Sequence, residues 1–271
     1  EQKGKGEIKM PSGAQDLGTG YNNATTDSLG SIAGATGGSP QGIYEESSTQ
    51  EYPIGTKREF EDGRVFRYGS FAGATAAGVL VSQDLSATAV VEVDNKATAA
   101  AIGATEVILT DSGTLGSATA NQYAGGYLHT TDDASEGYTY RIKSNTAASS
   151  NAVTFTLYDG LVVAVTTATD VAITGNLYNQ VVASTAATDY VISGVTARVM
   201  QSGYYGWIQT AGVSTILADG TIAIGQNLTL SDGVAGAVHA KDAETEPLVG
   251  FATFAPDNTG HVGVVLQGIS R

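Results

Sequence analysis

The sequence has 271 residues, with 27 acidic and 13 basic side chains and a formal net charge of −14. This acidity argues against general binding to nucleic acid or to an anionic membrane, because both depend on basic surface. The chain has no cysteine, which excludes disulfides and thiolate metal sites. No apolar run approaches the roughly 20 residues of a membrane-spanning helix, and the 35 glycines favour turns and strands over helices.

The first segment, residues 1–51, is dense in Gly, Ser, Thr and Asn and has almost no periodic apolar pattern. Alone, this segment cannot bury enough surface to offset the entropy lost on ordering it. We predict an extended N-terminal arm, for which two interpretations are open: a disordered tail, or an arm that becomes ordered on a neighbouring subunit. In the second interpretation its scattered apolar side chains, among them Tyr21 and Tyr44, are the anchors.

From Tyr52 onward, short strand candidates alternate with turn signals, which predicts an all-β protein. We expect residues 52–104 and 202–271 to form one small β-barrel-like domain, because "AAGVLVS" in the first segment is echoed by "AIGQNLTLS" in the second. Within the first segment, "NKATAAAIGA" at Asn95–Ala104 is the best helix candidate. Residues 105–201 hold strand candidates about ten residues apart and are predicted to be an inserted β-rich, sandwich-like domain.

Chemical motifs are missing from the sequence. It contains no zinc-protease, phosphate-loop, dinucleotide or nucleophile-elbow pattern. The histidines are isolated from one another along the chain and are interpreted as strand residues: His129, His239 and His261. The acidic "TTDDASEG" lacks the spacing of a calcium loop and is interpreted as a solvated loop. We therefore expect no enzyme activity, no catalytic residue, no metal site and no cofactor.

A basic cluster interrupts the acidic chain in "YPIGTKREFEDGRVFRYG", residues 52–69. The turn signal at Asp62-Gly63 and the alternation that follows it predict a β-hairpin. Such a hairpin gathers four basic side chains: Lys57, Arg58, Arg64 and Arg67. One interpretation is a solvated hairpin whose acidic neighbours serve as counter-ions. The other is a contact surface that forms charge-assisted hydrogen bonds with carboxylates of a partner.

This stretch and two later ones, "GYYGWIQTAGVSTILADGTIAIGQNLTLSDGVAGAV" and "PLVGFATFAPDNTGHVGVVLQ", resemble tailed-bacteriophage capsid decoration (cement) proteins and related phage head structural proteins. With the middle block, which is similar to an insertion in some phage members, the resemblance covers most of residues 52–271. It rests on glycine and strand patterns and brings no catalytic residues. It implies a homotrimer on the outer capsid surface of the virion that clamps neighbouring subunits of the phage major capsid protein and stabilises the head.

Two sets of residues follow from the competing hypotheses. The expected capsid contacts are the basic hairpin and aromatic side chains of the arm: Lys57, Arg58, Arg64, Phe66, Arg67, Tyr21 and Tyr44. The alternative is a glycan-binding surface or a tail- or fibre-associated module of a virion or bacterium. It uses aromatic side chains that otherwise pack in the core: Tyr123, Tyr127, Tyr204 and Trp207. Under the capsid hypothesis, deleting residues 1–50, or reversing the charges of Arg64 and Arg67, should abolish capsid binding and leave the body folded.

Overall fold

The computed structural model describes residues 41–83, 91–93, 97–111, 113–185, 191–255, 260–267 and 269. These residues form sixteen β-strands and two short 3-10 helices, so the predicted all-β class is confirmed. No helix of this described part is long and apolar enough to cross a membrane. The first forty residues of the predicted arm, with Tyr21, lie outside the described residues.

The larger sheet has ten antiparallel strands and curls into a half-barrel. Its strands are β1 (Lys57–Glu59), β2 (Val65–Ser70), β3 (Leu80–Gln83), β10 (Val181–Ala183), β11 (Ile192–Thr196), β12 (Tyr205–Leu217), β13 (Asn227–Leu230), β14 (Val238–Ala240), β15 (Gly250–Phe254) and β16 (His261–Leu266). They run in the order β10-β3-β11-β12-β16-β15-β13-β14, and the β1-β2 hairpin attaches to β12 through β2.

The long strand β12 organises this sheet. Its first half pairs with β2, placing Trp207 opposite Tyr68, and also with β11. Its second half, Gly212 to Leu217, pairs with β16. The register of the β2 pairing shifts between Gln209 and Ala211, and such a bulge increases local twist and bends the strand. One strand of 13 residues thereby joins the N-terminal hairpin to the C-terminal strands of the chain.

The smaller sheet has six strands in the order β4-β9-β6-β7-β8-β5. Its elements are β4 (Val91–Val93), β5 (Glu106–Thr110), the 3-10 helix η1 (Thr114–Ser117), β6 (Tyr127–Thr130), the 3-10 helix η2 (Asp133–Ser135), β7 (Thr139–Asn145), β8 (Ala152–Leu157) and β9 (Val171–Thr174). Alternate residues of β8 are buried, among them Val153, Phe155 and Leu157. They belong to a core cluster built from this part of the chain, as expected of strands with one face buried.

The strand pairing departs from the predicted boundaries in two places. Strand β4, which falls in segment 52–104, pairs with β9 of the smaller sheet. Strands β10 and β11, which fall in segment 105–201, both pair with β3 of the larger sheet. The chain therefore passes from the larger to the smaller sheet between β3 and β4, before residue 104, and returns to the larger sheet between β9 and β10, before residue 201. The division into separately folding domains stays a prediction.

The predicted helix at 95–104 is wrong in its described part. Residues Ala97 to Ala104 contain no helix; Ala97 bridges to Leu109, and Ala100 bridges to Val165. The N–H groups of Thr98 and Ala100 donate to carbonyls across these bridges at 2.8 Å. Small side chains here fill space beside the core of the smaller sheet, and this tertiary packing overrides the helical preference of alanine.

Candidate partner-binding surface

The predicted basic hairpin is present, and its register determines which side chains face outward. Strands β1 and β2 pair so that Lys57 lies opposite Arg67 and Arg58 lies opposite Phe66. The N–H of Gly63 donates to Phe60 across the connecting turn, and Gly63 has a φ of 82°. A left-handed backbone at that position favours glycine. The Asp62-Gly63 turn signal therefore marked the reversal of the chain correctly.

Two of the predicted contact residues face the protein interior. Arg58 is 4% exposed and Phe66 is 1% exposed. The Arg58 guanidinium lies 5.3 Å from the ring centroid of Phe60 and 5.5 Å from that of Trp207. Burial lowers the pKa of Arg58, against the opposing effects of Tyr52 and Glu45. The prediction that Arg58 and Phe66 contact a partner is corrected, because the pleat of the hairpin directs both into an aromatic core.

Lys57 and Arg64 are the hairpin cations that remain accessible. Lys57 forms an ion pair with Glu59 at 2.7 Å, and Arg64 forms one with Asp62 at 2.6 Å. The Lys57 ammonium, through its hydrogen bond and its charge, lowers the pKa of Glu59. Exposed pairs of this kind contribute only about 0–1 kcal/mol to stability. Both cations can therefore exchange their local carboxylates for those of a partner at small cost.

Arg67 is held by the body of the protein. Its Nη1 donates to the carbonyl of Gly55 at 3.1 Å, and its guanidinium lies 5.9 Å from the ring centroid of Tyr178. Within the described part of the chain, its buried Nε has no hydrogen-bond partner. These contacts give Arg67 a structural role in joining β2 to the turn at Gly55. The charge reversal at Arg67 that the sequence suggested would therefore disturb the fold as well as the surface.

Gln41, which no sequence pattern singled out, is the centre of a buried polar network. Its Nε2 donates to the carbonyls of Glu45 at 2.9 Å and Tyr205 at 3.1 Å. Its Oε1 accepts from the hydroxyl of Tyr68 at 2.8 Å. Its backbone carbonyl accepts from Arg58 Nη1 at 2.9 Å and from Trp207 Nε1 at 3.1 Å. We call Gln41, Arg58, Tyr68 and Trp207 the Gln41 anchor.

The anchor is embedded in aromatic side chains. Three aromatic rings pack against one another in tilted or edge-on arrangements, with centroids 5.2 to 5.4 Å apart: those of Tyr52, Tyr68 and Trp207. Such geometry is favourable for aromatic pairs. Ile43, two residues after Gln41, belongs to the same buried cluster. The chain is therefore fixed to the body from residue 41, ten residues before the predicted end of the arm.

Tyr44 emerges beside this anchor and is 55% exposed. Arg198 holds the segment in place, because its Nη1 donates to the Tyr44 carbonyl at 3.0 Å and its Nη2 pairs with Glu46 at 3.2 Å. Partial burial lowers the pKa of Arg64, but contacts with Asp62 and with the Tyr44 side chain raise it overall. Tyr44 and Arg64 thus adjoin each other, on a cleft of about 300 Å³ that also includes exposed Val213.

The four aromatic residues of the glycan hypothesis do not form one platform. Tyr123 and Trp207 are 0% and 1% exposed and belong to core clusters of different sheets. Tyr204 is half-buried and packs against the cluster around Phe71. Tyr127 is exposed, on β6. The expected use of Tyr123 and Trp207 as sugar-stacking surfaces is corrected, since neither ring is accessible from solvent.

A different cleft, missed from the sequence, has the chemistry of an anion site. Arg141 and Lys143 are alternate exposed residues of β7 and line a cleft of about 240 Å³. The Arg141 guanidinium lies 4.9 Å from the ring centroid of Tyr158, which is 53% exposed. Neither cation forms an ion pair within the described residues. The sequence signal that could have indicated this cleft is the alternation of Arg141 and Lys143 in "YRIKS", which places both cations on one face of a predicted strand.

The described residues also include a group that could hold a metal ion: Asp232, His239 and Glu246, whose ligand atoms lie within 4.8 Å of one another. By contrast, two carboxylates of the acidic "TTDDASEG" loop already accept hydrogen bonds from nearby residues of the protein. Asp132 accepts from the N–H of Asp133, and Asp133 accepts from the hydroxyl of Thr166 at 2.8 Å.

Comparisons with known proteins place few constraints on this surface. No protein-family description matches the sequence, and no curated protein matches it. Among solved structures, the chain is similar to the N base of head fiber gp8.5 in bacteriophage phi29, with 12% identity and a TM-score of 0.24. The similarity covers 67% of this chain and 98% of that chain. At this TM-score the similarity carries no argument about fold or function.

Proposed function

We propose that the protein is a structural component of a bacteriophage head that binds the outer capsid surface and clamps neighbouring major capsid subunits. The observation that carries the proposal is the Gln41 anchor beside the exposed Tyr44 and the half-buried Arg64. It holds residues 41–46 next to accessible cations on an otherwise acidic protein. The sequence resemblance to capsid decoration proteins supports the same role.

The proposed clamp uses two kinds of contact. Lys57 and Arg64 exchange their exposed partners, Glu59 and Asp62, for carboxylates of the capsid protein, forming charge-assisted hydrogen bonds. Tyr44 and Val213 add apolar area beside them. In a homotrimer these modest contacts are repeated three times, so effective concentration makes the whole assembly bind more tightly than one chain.

Cosedimentation with capsids of the virus that encodes the protein tests this proposal. We expect Lys57→Glu with Arg64→Glu to reduce the capsid-bound protein about tenfold or more, because like charges then face the capsid carboxylates. The matched control is Arg141→Glu with Lys143→Glu, which changes the net charge equally on the smaller sheet. The control should bind as the unaltered protein does. Equal behaviour of the two double variants would contradict the proposal.

A second proposed function, carried by the Arg141 cleft, is binding of acidic glycans. An exposed aromatic ring beside two cations that lack ion pairs in the described structure suits a sugar that carries a carboxylate. Polysaccharides rich in uronic acid should bind, and neutral ones should not. Arg141→Gln with Lys143→Gln should remove this binding, while Lys57→Gln with Arg64→Gln should preserve it. Indifference to acidic polysaccharides, or equal loss in both variants, would reject this role.

A further inference from the structure

We propose that Asp232, His239 and Glu246 bind a divalent first-row transition metal ion, for which zinc is the best candidate. Each residue offers one ligand atom, and the three atoms lie within 4.8 Å of one another. The inference is independent of the proposed capsid role. It concerns one edge of the larger sheet, where β14 is the last strand in the sheet order.

The three side chains come from neighbouring segments at the β14 edge of the larger sheet. His239 lies on β14 opposite Thr229 of β13, and Asp232 lies in the turn between these strands. Glu246 lies in the connection from β14 to β15. The turn is ordered by Ser231, whose hydroxyl donates to Asp219 at 2.6 Å and accepts the N–H of Val234 at 2.9 Å.

The imidazole of His239 supplies the observation that points to a ligand. Its Nε2 is buried and has no hydrogen-bond partner among the described residues, although buried polar atoms are normally paired. The nearest carboxylate oxygen, Oε1 of Glu246, is 3.9 Å away. That separation is too long for a hydrogen bond. In a tetrahedral site, bonds of about 2.0–2.2 Å place two ligand atoms about 3.4 Å apart, so zinc binding would draw these two atoms together by about 0.5 Å.

Glu246 is positioned to present one oxygen to such an ion. Its Oε2 accepts the backbone N–H groups of Asp242 at 3.1 Å and Ala243 at 3.2 Å. Oε1 is then left facing His239. Second hydrogen bonds of this kind orient a ligating carboxylate and keep it charged.

The donor set selects the class of ion. One imidazole nitrogen with two carboxylate oxygens suits zinc and its neighbours, whereas calcium and magnesium prefer sites made of oxygen alone. Two carboxylates balance the charge of a divalent ion. Three protein ligands leave a fourth position for water or for a ligand from another molecule. The bound ion would fasten the connection that carries Glu246 to the β13-β14 hairpin.

Calorimetric titration of the tag-free protein with zinc chloride, after dialysis against a chelator, tests the site. We expect one zinc ion per chain and a raised melting temperature, since binding to the folded state stabilises it. His239→Ala and Glu246→Gln should each weaken zinc binding about tenfold or more. His261→Ala is the matched control and should bind zinc normally, because His261 lies outside the cluster.

The result that overturns the proposal is equally specific. One such result is that zinc, cobalt and nickel all fail to bind the unaltered protein; the other is that zinc binds His239→Ala and Glu246→Gln with the affinity of the unaltered protein. Either outcome rejects this site. Circular dichroism of each variant establishes whether it is folded. Should His239→Ala fail to fold, Glu246→Gln with Asp232→Asn replaces it, since these substitutions preserve size and remove charge.

Discussion

Arg58 Nη1 donates a hydrogen bond of 2.9 Å to the backbone carbonyl of Gln41, which ties the basic hairpin to the first described residue of the chain. No described carboxylate forms an ion pair with this buried guanidinium. The rings of Phe60 and Trp207 lie beside it instead. The described end of the N-terminal segment, from residue 41, is therefore packed against the body of the protein.

Arg58→Ala should destabilise the protein by about 2 kcal/mol, because it removes a charged hydrogen bond, two cation-aromatic contacts and buried aliphatic packing. Lys57→Ala is the matched control. It removes the adjacent cation, whose exposed ion pair with Glu59 contributes about 0–1 kcal/mol. Urea unfolding of both variants measures the difference. Equal unfolding free energies would contradict a structural role for Arg58.

Deleting residues 1–40 should leave the unfolding free energy of the body nearly unchanged, because the Gln41 anchor remains complete. Deleting residues 1–50 should cost about 3 kcal/mol or more. It removes the acceptor of Arg58, Tyr68 and Trp207 and the buried side chain of Ile43. Thermal and urea unfolding compare the two truncations. If the protein without residues 1–50 were as stable as the full chain, the Gln41 anchor would contribute little to stability. Only the deletion of residues 1–40 tests the role of the arm in capsid binding without also removing this anchor.

Stability should fall at alkaline pH partly through Tyr68. Burial raises the pKa of Tyr68 from its ordinary 10.0 to about 12. A folded-state pKa above the unfolded value means that this contribution is complete below pH 10 and is lost as pH rises towards 12. At neutral pH, Tyr68→Phe should be less stable by about 1–3 kcal/mol through the lost bond to Gln41. This difference in unfolding free energy should shrink above about pH 10. Urea unfolding of both proteins between pH 7 and about pH 11 measures it, and a difference that stays constant would contradict the prediction.

Gly250 should tolerate no side chain. A Cβ at Gly250 on β15 would overlap the carbonyl oxygen of Val265 on the adjacent β16, and a backbone atom in a sheet cannot move aside cheaply. We expect Gly250→Ala to cost about 2–3 kcal/mol. At Gly73 the same methyl group meets only Val182 at ordinary contact distance. Gly73→Ala is therefore the control, and equal unfolding midpoints for the two variants would refute the packing argument.

Local patterns predicted the strands and the hairpin because both depend on neighbouring residues. The turn at Gly63 and the alternation of β8 are examples. The inward direction of Arg58 was not predictable in this way, since charged side chains are exposed by default. Its burial depends on Gln41 and on Trp207, which meet although they are 166 residues apart in sequence.

The candidate sites were likewise predictable only where they depend on residues close together in sequence. The sequence placed the accessible cations Lys57 and Arg64 together, because a hairpin is a local structure. It missed the pair of Arg141 and Tyr158, which is not local in sequence. The N–H of Tyr158, just after β8, donates to the carbonyl of Arg141 on β7, and this pairing brings the two side chains together. It treated His239 as isolated because the nearest members of the metal-capable group, Asp232 and Glu246, lie seven residues away on either side, a spacing that matches no recognised metal motif.

The most direct test of the proposed capsid role is cryo-electron microscopy of capsids incubated with the full-length protein. We predict threefold density on the outer surface at junctions between capsid subunits, with the hairpin residues Lys57 and Arg64 against the capsid and the acidic surface outward. Capsids that carry no additional density at saturating protein, or density that contacts the capsid only through the smaller sheet, would contradict it.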